Sequence, residues 1–384
     1  MIEENILERT HLLVAAGLSQ LQNVILRGFT SPLAWVVPSS IDPGAYQTNE
    51  LTASPLLGLI RTATSEHEAL RLRFVHLVIG DDEAIKSLVT CLLPPSAETE
   101  CAIRYCEVFV PRLGYTSCQA PTPPSPLIRA GESILITGAT GGIGSRIARW
   151  LVDAYGIRGL VLMSCRGENA PGGKALIAEL AERGVEATVV AADVSELESL
   201  SSVLSLFGND RPLRGVIHTA AVLDDGVLSS LTAGRCDNVI KFKVDGAWNL
   251  HLLTKDLDLD LFLLFSSVLG ILGTTGQANY AAANTFVDAL AHWRRTNDMP
   301  AFSVAWGPWS GEGMVGKLDE GLKRRMSQQG VNLLGTEDGL ALLQETISGN
   351  RPLSVAVSFD FSKIGKYFGS QAHVPQLFRS LLPD

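Results

Sequence analysis

Short apolar runs alternate with stretches of helical spacing through most of this chain. From Ser133 onward, SILITG, GLVLMS, ATVVAADV, RGVIHTAAV, DLFLLFSS and AFSVAWG read as strands. Between them, GIGSRIARWLVDAY has the spacing of an amphipathic helix, and KALIAELAERG predicts a helix closed by Gly184. Runs that are apolar on both faces, alternating with helices, specify a parallel sheet covered on both sides, a doubly wound α/β fold.

The upstream residues keep the same rhythm in worn form. THLLVAAGLSQLQNVIL and SPLLGLIRTATSEHEAL read as helices, and LAWVVPS, LRFVHLV, AIRYC and EVFVPRL as strands. No glycine-rich turn follows any of these strands, so nothing here cradles a phosphate. QAPTPPSP (Gln119 to Pro126) holds four prolines in eight residues and predicts a linker. The expected division is a structural part, residues 1–126, and a catalytic part, residues 127–384. Opening on a helix with no leading strand suggests a piece of a longer polypeptide.

Composition narrows the class. At 384 residues the chain has room for two domains, and 46% hydrophobic with 18% charged residues excludes a disordered one. A formal net charge of -9 argues against nucleic acid or an anionic membrane as partner. The six cysteines have no CxxC pairing and no histidines at zinc spacing, so no metal site is expected and reduced, mostly buried thiols in a cytoplasmic protein are. LDLFLLFSSVLGILG is too short and too broken by serine and glycine to span a bilayer.

Candidate chemistry starts at TGATGGIG: Thr137, Gly138, Thr140, Gly141, Gly142, Ile143 and Gly144, with Ala139 between them, join a strand to a helix. Such a turn lets backbone amides approach a pyrophosphate at a helix N-terminus, the fingerprint of a dinucleotide-binding Rossmann unit. The second strand ends in Ser164, with Arg166 and no acid at its tip, which favours a 2′-phosphate and hence NADPH. Asp193 and Val194 follow the third strand, where adenine would lie; helix capping is a rival role for the aspartate.

Hydride reduction of a ketone needs a proton donor and a group to hold the oxygen. In FSSVLGILGTTGQANYAAAN, Tyr280 is the candidate acid and Ser267 the candidate donor, with a nearby cation expected to lower the phenol pKa. The stretch resembles the Ser–Tyr–Lys pattern of short-chain reductases, except that Asn284 stands where that pattern has its lysine, four residues past Tyr280. The cation is therefore sought on the preceding helix, KFKVDGAWNLH, where Lys243 is chosen over Lys241 because it lies nearer the GA pair that permits close packing. His218 is read as a packed histidine, and KLDEGLKRRMSQQG as either a lid or a plain surface helix.

TGATGGIG, HTAAVLDDG, KVDGAWNLH, the Ser–Tyr–Asn spacing and WGPWSGEGM together resemble a ketoreductase domain of a type I polyketide synthase, in the short-chain reductase superfamily. The resemblance implies that lysine and asparagine have exchanged places relative to free-standing reductases, so that Lys243, Ser267, Tyr280 and Asn284 form the catalytic set. It implies that the first half is a degenerate reductase subdomain, and SPLLGLIRTATSEHEAL is similar to a segment of it. It also implies NADPH as cofactor, neighbouring synthase domains, and a substrate tethered to an acyl carrier protein. Leu223, Asp224 and Asp225 resemble the B-type fingerprint, which implies a D-β-hydroxyl product; Leu272 stands where the A-type has tryptophan, and Met314 is assigned to the substrate side. One departure is Ser164-Cys165-Arg166-Gly167, which has one arginine where the family has two. Reduction of an α-ketoacyl group in a depsipeptide assembly line, and a non-catalytic domain that keeps the fold, are the alternatives.

Overall fold

The computed structural model describes residues 5–29, 31–39, 47–67, 69–78, 82–92, 98–104, 107–116, 132–311, 324, 326–328, 330–368 and 375–381. The proline-rich stretch Gln119–Pro126 lies outside the described residues.

The first half forms α1 (Ile6–Leu26), β1 (Leu33–Pro38), α2 (Thr48–Glu66), β2 (Leu72–Leu77), α3 (Asp82–Leu92), β3 (Glu100–Arg104) and β4 (Glu107–Phe109). Its sheet has the order β1-β2-β3-β4, parallel except for β4. Helix α2 begins and ends earlier than its apolar pattern suggests, because a capping box between Gln47 and Glu50 opens it at Thr48. Pro55 then falls inside the helix. Its missing N–H would leave the Leu51 carbonyl unpaired, but Ser54 Oγ donates to that carbonyl at 2.7 Å.

The second half is a seven-stranded, wholly parallel sheet. In chain order, β5 (Ser133–Thr137), α4 (Gly142–Tyr155), β6 (Gly159–Ser164), α5 (Gly173–Glu182), β7 (Glu186–Ala191), α6 (Leu197–Leu204), β8 (Leu213–His218), α7 (Ala233–Ile240), α8 (Gly246–Thr254), β9 (Leu261–Ser267), α9 (Val268–Leu272), α10 (Ala278–Thr296) and β10 (Phe302–Trp306) lead to β11 (Val331–Asn332) and β12 (Leu353–Ala356). The order β12-β10-β9-β8-β5-β6-β7 reverses direction between β5 and β8, the switch point of a doubly wound Rossmann sheet. The seventh strand, β12, is not marked by a continuous apolar run: as an edge strand it is only half-buried over most of its length.

Helix α10 joins the two halves. Every residue from Ala278 to Ala291 is buried, as expected of a helix with packing on all sides. Its small residues allow α2 to cross at backbone contact: a Cβ on Gly58 would lie 2.5 Å from the carbonyl carbon of Ala281. Arg61 Nη1 donates to the Gly270 carbonyl at 2.7 Å, and a Cβ on Gly273 would lie 2.4 Å from the Arg61 carbonyl carbon.

Helix α1 makes a second tie across the halves. His11 Nε2 lies 2.8 Å from Asp245 Oδ1 and its Nδ1 lies 3.2 Å from Asp237 Oδ1. The bond to Asp245 raises the His11 pKa to about 8, against an opposing desolvation. Because the folded value is above the unfolded one, the contribution is fully present below about pH 6.5 and lost as pH rises through about 8. The shift corresponds to about 2 kcal/mol. Denaturant unfolding of the unaltered chain and of His11→Gln should therefore differ most at pH 6 and converge by pH 9; a pH-independent gap would refute the tie.

Candidate active site

The site lies at the carboxyl ends of the central strands. At the first turn, Gly138 has φ +68°, and a Cβ there would lie 2.8 Å from the Ala220 nitrogen. A Cβ on Gly144 would lie 2.5 Å from the Gly138 carbonyl. Only glycine permits this close folding of Thr137–Gly144, which brings the free N–H groups at the start of α4 to the sheet end. Ser164 Oγ, at the end of β6, is buried with no hydrogen-bond partner, and Arg166 is exposed beyond it. An open glycine cradle, an unpaired hydroxyl and an exposed guanidinium fit a dinucleotide with a phosphorylated ribose.

Asp193 has a local duty. Its Oδ1 accepts from Ser195 N at 2.9 Å and from Ser195 Oγ at 2.6 Å, which forms a turn. The helix cap weighed from the sequence falls instead to Glu196, the residue before α6. Val194 is buried and would meet a Cβ on Gly246 at 2.8 Å, so Gly246 is what lets the lysine-bearing segment close on this loop.

That segment, Lys241–Asp245, is wound as a π-helix between α7 and α8. Such insertions re-aim side chains and recur at functional sites. Here the two lysines take opposite environments. Lys241 is 45% exposed and pairs with Glu196 at 2.6 Å. Lys243 is 3% exposed, with its Nζ 5.2 Å from the centre of the Tyr280 ring. Burial lowers its pKa to about 8, opposed by the charge of Asp288.

Ser267 ends β9 and caps α9, accepting from Leu269 N at 3.3 Å. Tyr280 sits in the first turn of α10, and Asn284 Nδ2 donates to its carbonyl at 2.7 Å. Burial pushes the phenol pKa up to about 12, against hydrogen bonds with Asn284 and Ser267. The expected lowering by a nearby cation is thus not the dominant effect: desolvation is. The phenol is held protonated, the form that donates.

One further group was not read from the sequence. Asp288, two turns past Tyr280 on α10, is buried and accepts from Ser303 Oγ at 2.5 Å, with its Oδ2 unpaired. Burial raises its carboxyl pKa to about 6. His218, the packed histidine, lies 2.7 Å from Thr137 Oγ1 and 3.2 Å from the Lys243 carbonyl, so it links the glycine turn to the lysine. Desolvation lowers its pKa to about 3, leaving it neutral.

The Leu223–Asp225 loop is fastened to α7 and α10. Asp224 pairs with Arg235 at 2.7 Å, and its carbonyl accepts from Asn279 Nδ2 at 2.8 Å. Asp225 accepts from Gln277 Nε2 at 3.0 Å, and Leu223 packs on the core. Leu272 packs against the cluster of Ile364 and Phe378. Met314 and most of the segment 317–330 lie outside the described residues. Cys165 departs from the expected buried thiols: it is exposed beside Arg166. Among the described residues no group of side chains could hold a metal, and no helix is long and apolar enough to cross a membrane.

Residues 132–311 match the family described as KR domain, and residues 3–113 that of the Rossmann fold domain of the polyketide synthase extender module SpnB. A solved A1-type ketoreductase superposes with a TM-score of 0.86 at 33% identity, covering 95% of this chain and 76% of that one. The chain belongs to the ketoreductase domains of modular polyketide synthases. It is 35% identical over 98% of its length to the PKS-NRPS hybrid synthetase acdB of Aspergillus candidus, of which it spans 15%. It is 40% identical over 87% of its length to polyketide synthase GfsA of Streptomyces halstedii, of which it spans 4%. As a ketoreductase domain it is an oxidoreductase of the NAD(P)-dependent short-chain type.

In this ketoreductase domain, Tyr280→Phe and Lys243→Ala are each expected to cost about 10²–10⁴-fold in turnover, whereas Lys241→Ala should remain near the unaltered rate. Single-turnover reduction of a ketone model substrate checks this. Loss in Lys241→Ala with survival of Lys243→Ala would reverse the choice of lysine.

Proposed function

We propose that this domain uses NADPH to reduce the β-ketone of an acyl group tethered to an acyl carrier protein, giving the D-β-hydroxyacyl thioester within an assembly line. The observation that carries the reading is the convergence of buried Lys243, Ser267 and Tyr280 beside an open glycine cradle.

Ser267 and Tyr280 hold the ketone oxygen between two hydroxyl donors, and their burial excludes competing water. The reduced nicotinamide, when bound, supplies the hydride. Tyr280 passes its phenolic proton to the developing alkoxide, and the Lys243 cation over its ring stabilises the phenolate left behind. Asn284 fixes the first turn of α10, so the phenol stays aimed while its charge changes.

The D configuration rests on Leu223, Asp224 and Asp225 and on the absence of an indole at Leu272. The A1-type neighbour speaks to the fold and family, at 33% identity, and not to the face of the ketone in this chain. Hydride arrives from one fixed face, so configuration depends on the side from which the carrier arm enters. The tethered acidic loop borders one side, and on the other Leu272 stands in place of an indole. A difference of ~2.8 kcal/mol between two poses gives about a hundredfold preference.

Reduction of a β-ketoacyl N-acetylcysteamine thioester, with the α-ketoacyl analogue in parallel, is expected to favour the β-ketone and give mainly the D product by chiral chromatography. A predominantly L product would overturn the B-type reading; preference for the α-ketone would overturn the substrate class. For the cofactor, a charge-assisted hydrogen bond worth roughly 1.5–3 kcal/mol makes Arg166→Ala about ten- to a hundredfold weaker for NADPH with NADH nearly unchanged. Fluorescence titration with both nucleotides measures this, and equal losses would show that Arg166 serves only the fold.

A further inference from the structure

We infer that Glu66, on the subdomain formed by the four-stranded sheet and its helices, is a positioning residue for both walls of the substrate groove. Glu66 is the last residue of α2. An anion at a helix C-terminus is disfavoured by the helix dipole, so its place there needs a compensating partner. It has two. Its Oε2 accepts from Leu228 N and its Oε1 from Gly276 N, each at 2.8 Å, and both are charge-assisted bonds to backbone amides.

The two amides belong to the two segments that flank the ketone site. Leu228 lies three residues past Asp225 and is fully buried. Gly276, at φ +87°, precedes Gln277, the N-cap of the helix that carries Tyr280. The segments also meet directly: Gly226 N donates to the Gly276 carbonyl at 2.7 Å, beside the Gln277–Asp225 bond. Gln22 of α1 donates to the Leu228 and Leu231 carbonyls at 2.9 and 2.7 Å, so the same subdomain grips the loop twice. One carboxylate thus sets the spacing between the acidic loop and the approach to Tyr280. The inference rests on the reading that this loop borders the groove.

The test uses Glu66→Gln, which keeps one acceptor oxygen in the same volume, with Glu66→Ala beside it and Asp225→Ala as the control for the loop. Both Glu66 variants are expected to raise the thioester KM and to erode the enantiomeric preference about tenfold (~1.4 kcal/mol). The KM for NADPH should stay within about twofold, because the cradle is untouched. By hydrogen-exchange mass spectrometry, peptides covering 223–231 and 274–279 should exchange about tenfold faster, with 133–144 unchanged. The preference is read as erosion of whichever enantiomer the unaltered chain makes, so an L product would unseat the B-type reading alone. Unchanged exchange in the two segments, equal losses for NADPH and thioester, or unfolding of Glu66→Gln would overturn the inference. Faster exchange with an unaltered product ratio and thioester KM would make Glu66 a brace of the fold only. In that case a changed ratio in Asp225→Ala leaves the groove reading standing, and an unchanged one removes both.

Discussion

The site depends on a crossing of two helices at backbone contact. Gly58 of α2 stands where any side chain would strike the backbone of Ala281 and Ala282 in α10. With α2 on one flank and β9 and β10 against it, α10 has no solvent face along Ala278–Ala291 and cannot tilt or fray without opening a core. Tyr280, Asn284 and Asp288 recur every four residues, so they form one stripe along this clamped helix. Precision at the phenol is therefore a product of apolar packing between two subdomains, and the hydrogen bonds around Tyr280 refine an orientation already imposed.

Burial that gives rigidity also sets the charges. Lys243 and Asp288 are both removed from water, and desolvation moves their pKa values toward each other, to about 8 and about 6. The lysine is cationic below its value and the aspartate anionic above its own, so both are charged together only in the window between. A buried charge without a counter-charge is costly, and the charge of Asp288 reduces that cost for Lys243. His218 completes the arrangement by adding no charge: neutral and buried, it bonds Thr137 and the Lys243 carbonyl, tying the lysine segment to the glycine turn. Tyr280, a buried phenol, keeps its proton until charge develops beside it.

Much of this was legible in the chain because the carriers are local. Glycine turns, strand runs and the Ser267–Tyr280–Asn284 spacing lie within single elements, where period and turn chemistry act directly. The lysine required one tertiary step, and the glycine after it gave the cue: Gly246 is where Val194 and His218 press on the segment. What escaped was fixed by tertiary context. A π-helical winding over Lys241–Asp245 has no compositional mark, and Asp288 on a helix resembles any surface acid until β10 brings Ser303 against it. Helix α3 and edge strand β12 lack the continuous apolar runs that betray central elements. The phenol pKa was misjudged for a related reason, since proximity to a cation can be guessed from a sequence while the depth of burial cannot.

The first half keeps parallel strands β1, β2 and β3 but has no glycine cradle in its described loops, which raises the question of what preserves its shape. Its contacts supply an answer. His11 reaches the end of the lysine-bearing segment, Gln22 and Glu66 reach the stretch that follows Asp225, Glu66 also reaches the approach to α10, and Arg61 reaches Gly270 in α9. These are four separate segments around Ser267 and Tyr280, and none belongs to the glycine turn. Side chains held on packed helices are rigid, which suits α1 and α2 to bracing the segments they touch. The division of labour is then physical: the seven-stranded half carries the glycine turn, Ser267 and Tyr280, and helices α1 and α2 of the four-stranded half hold the segments around them in place.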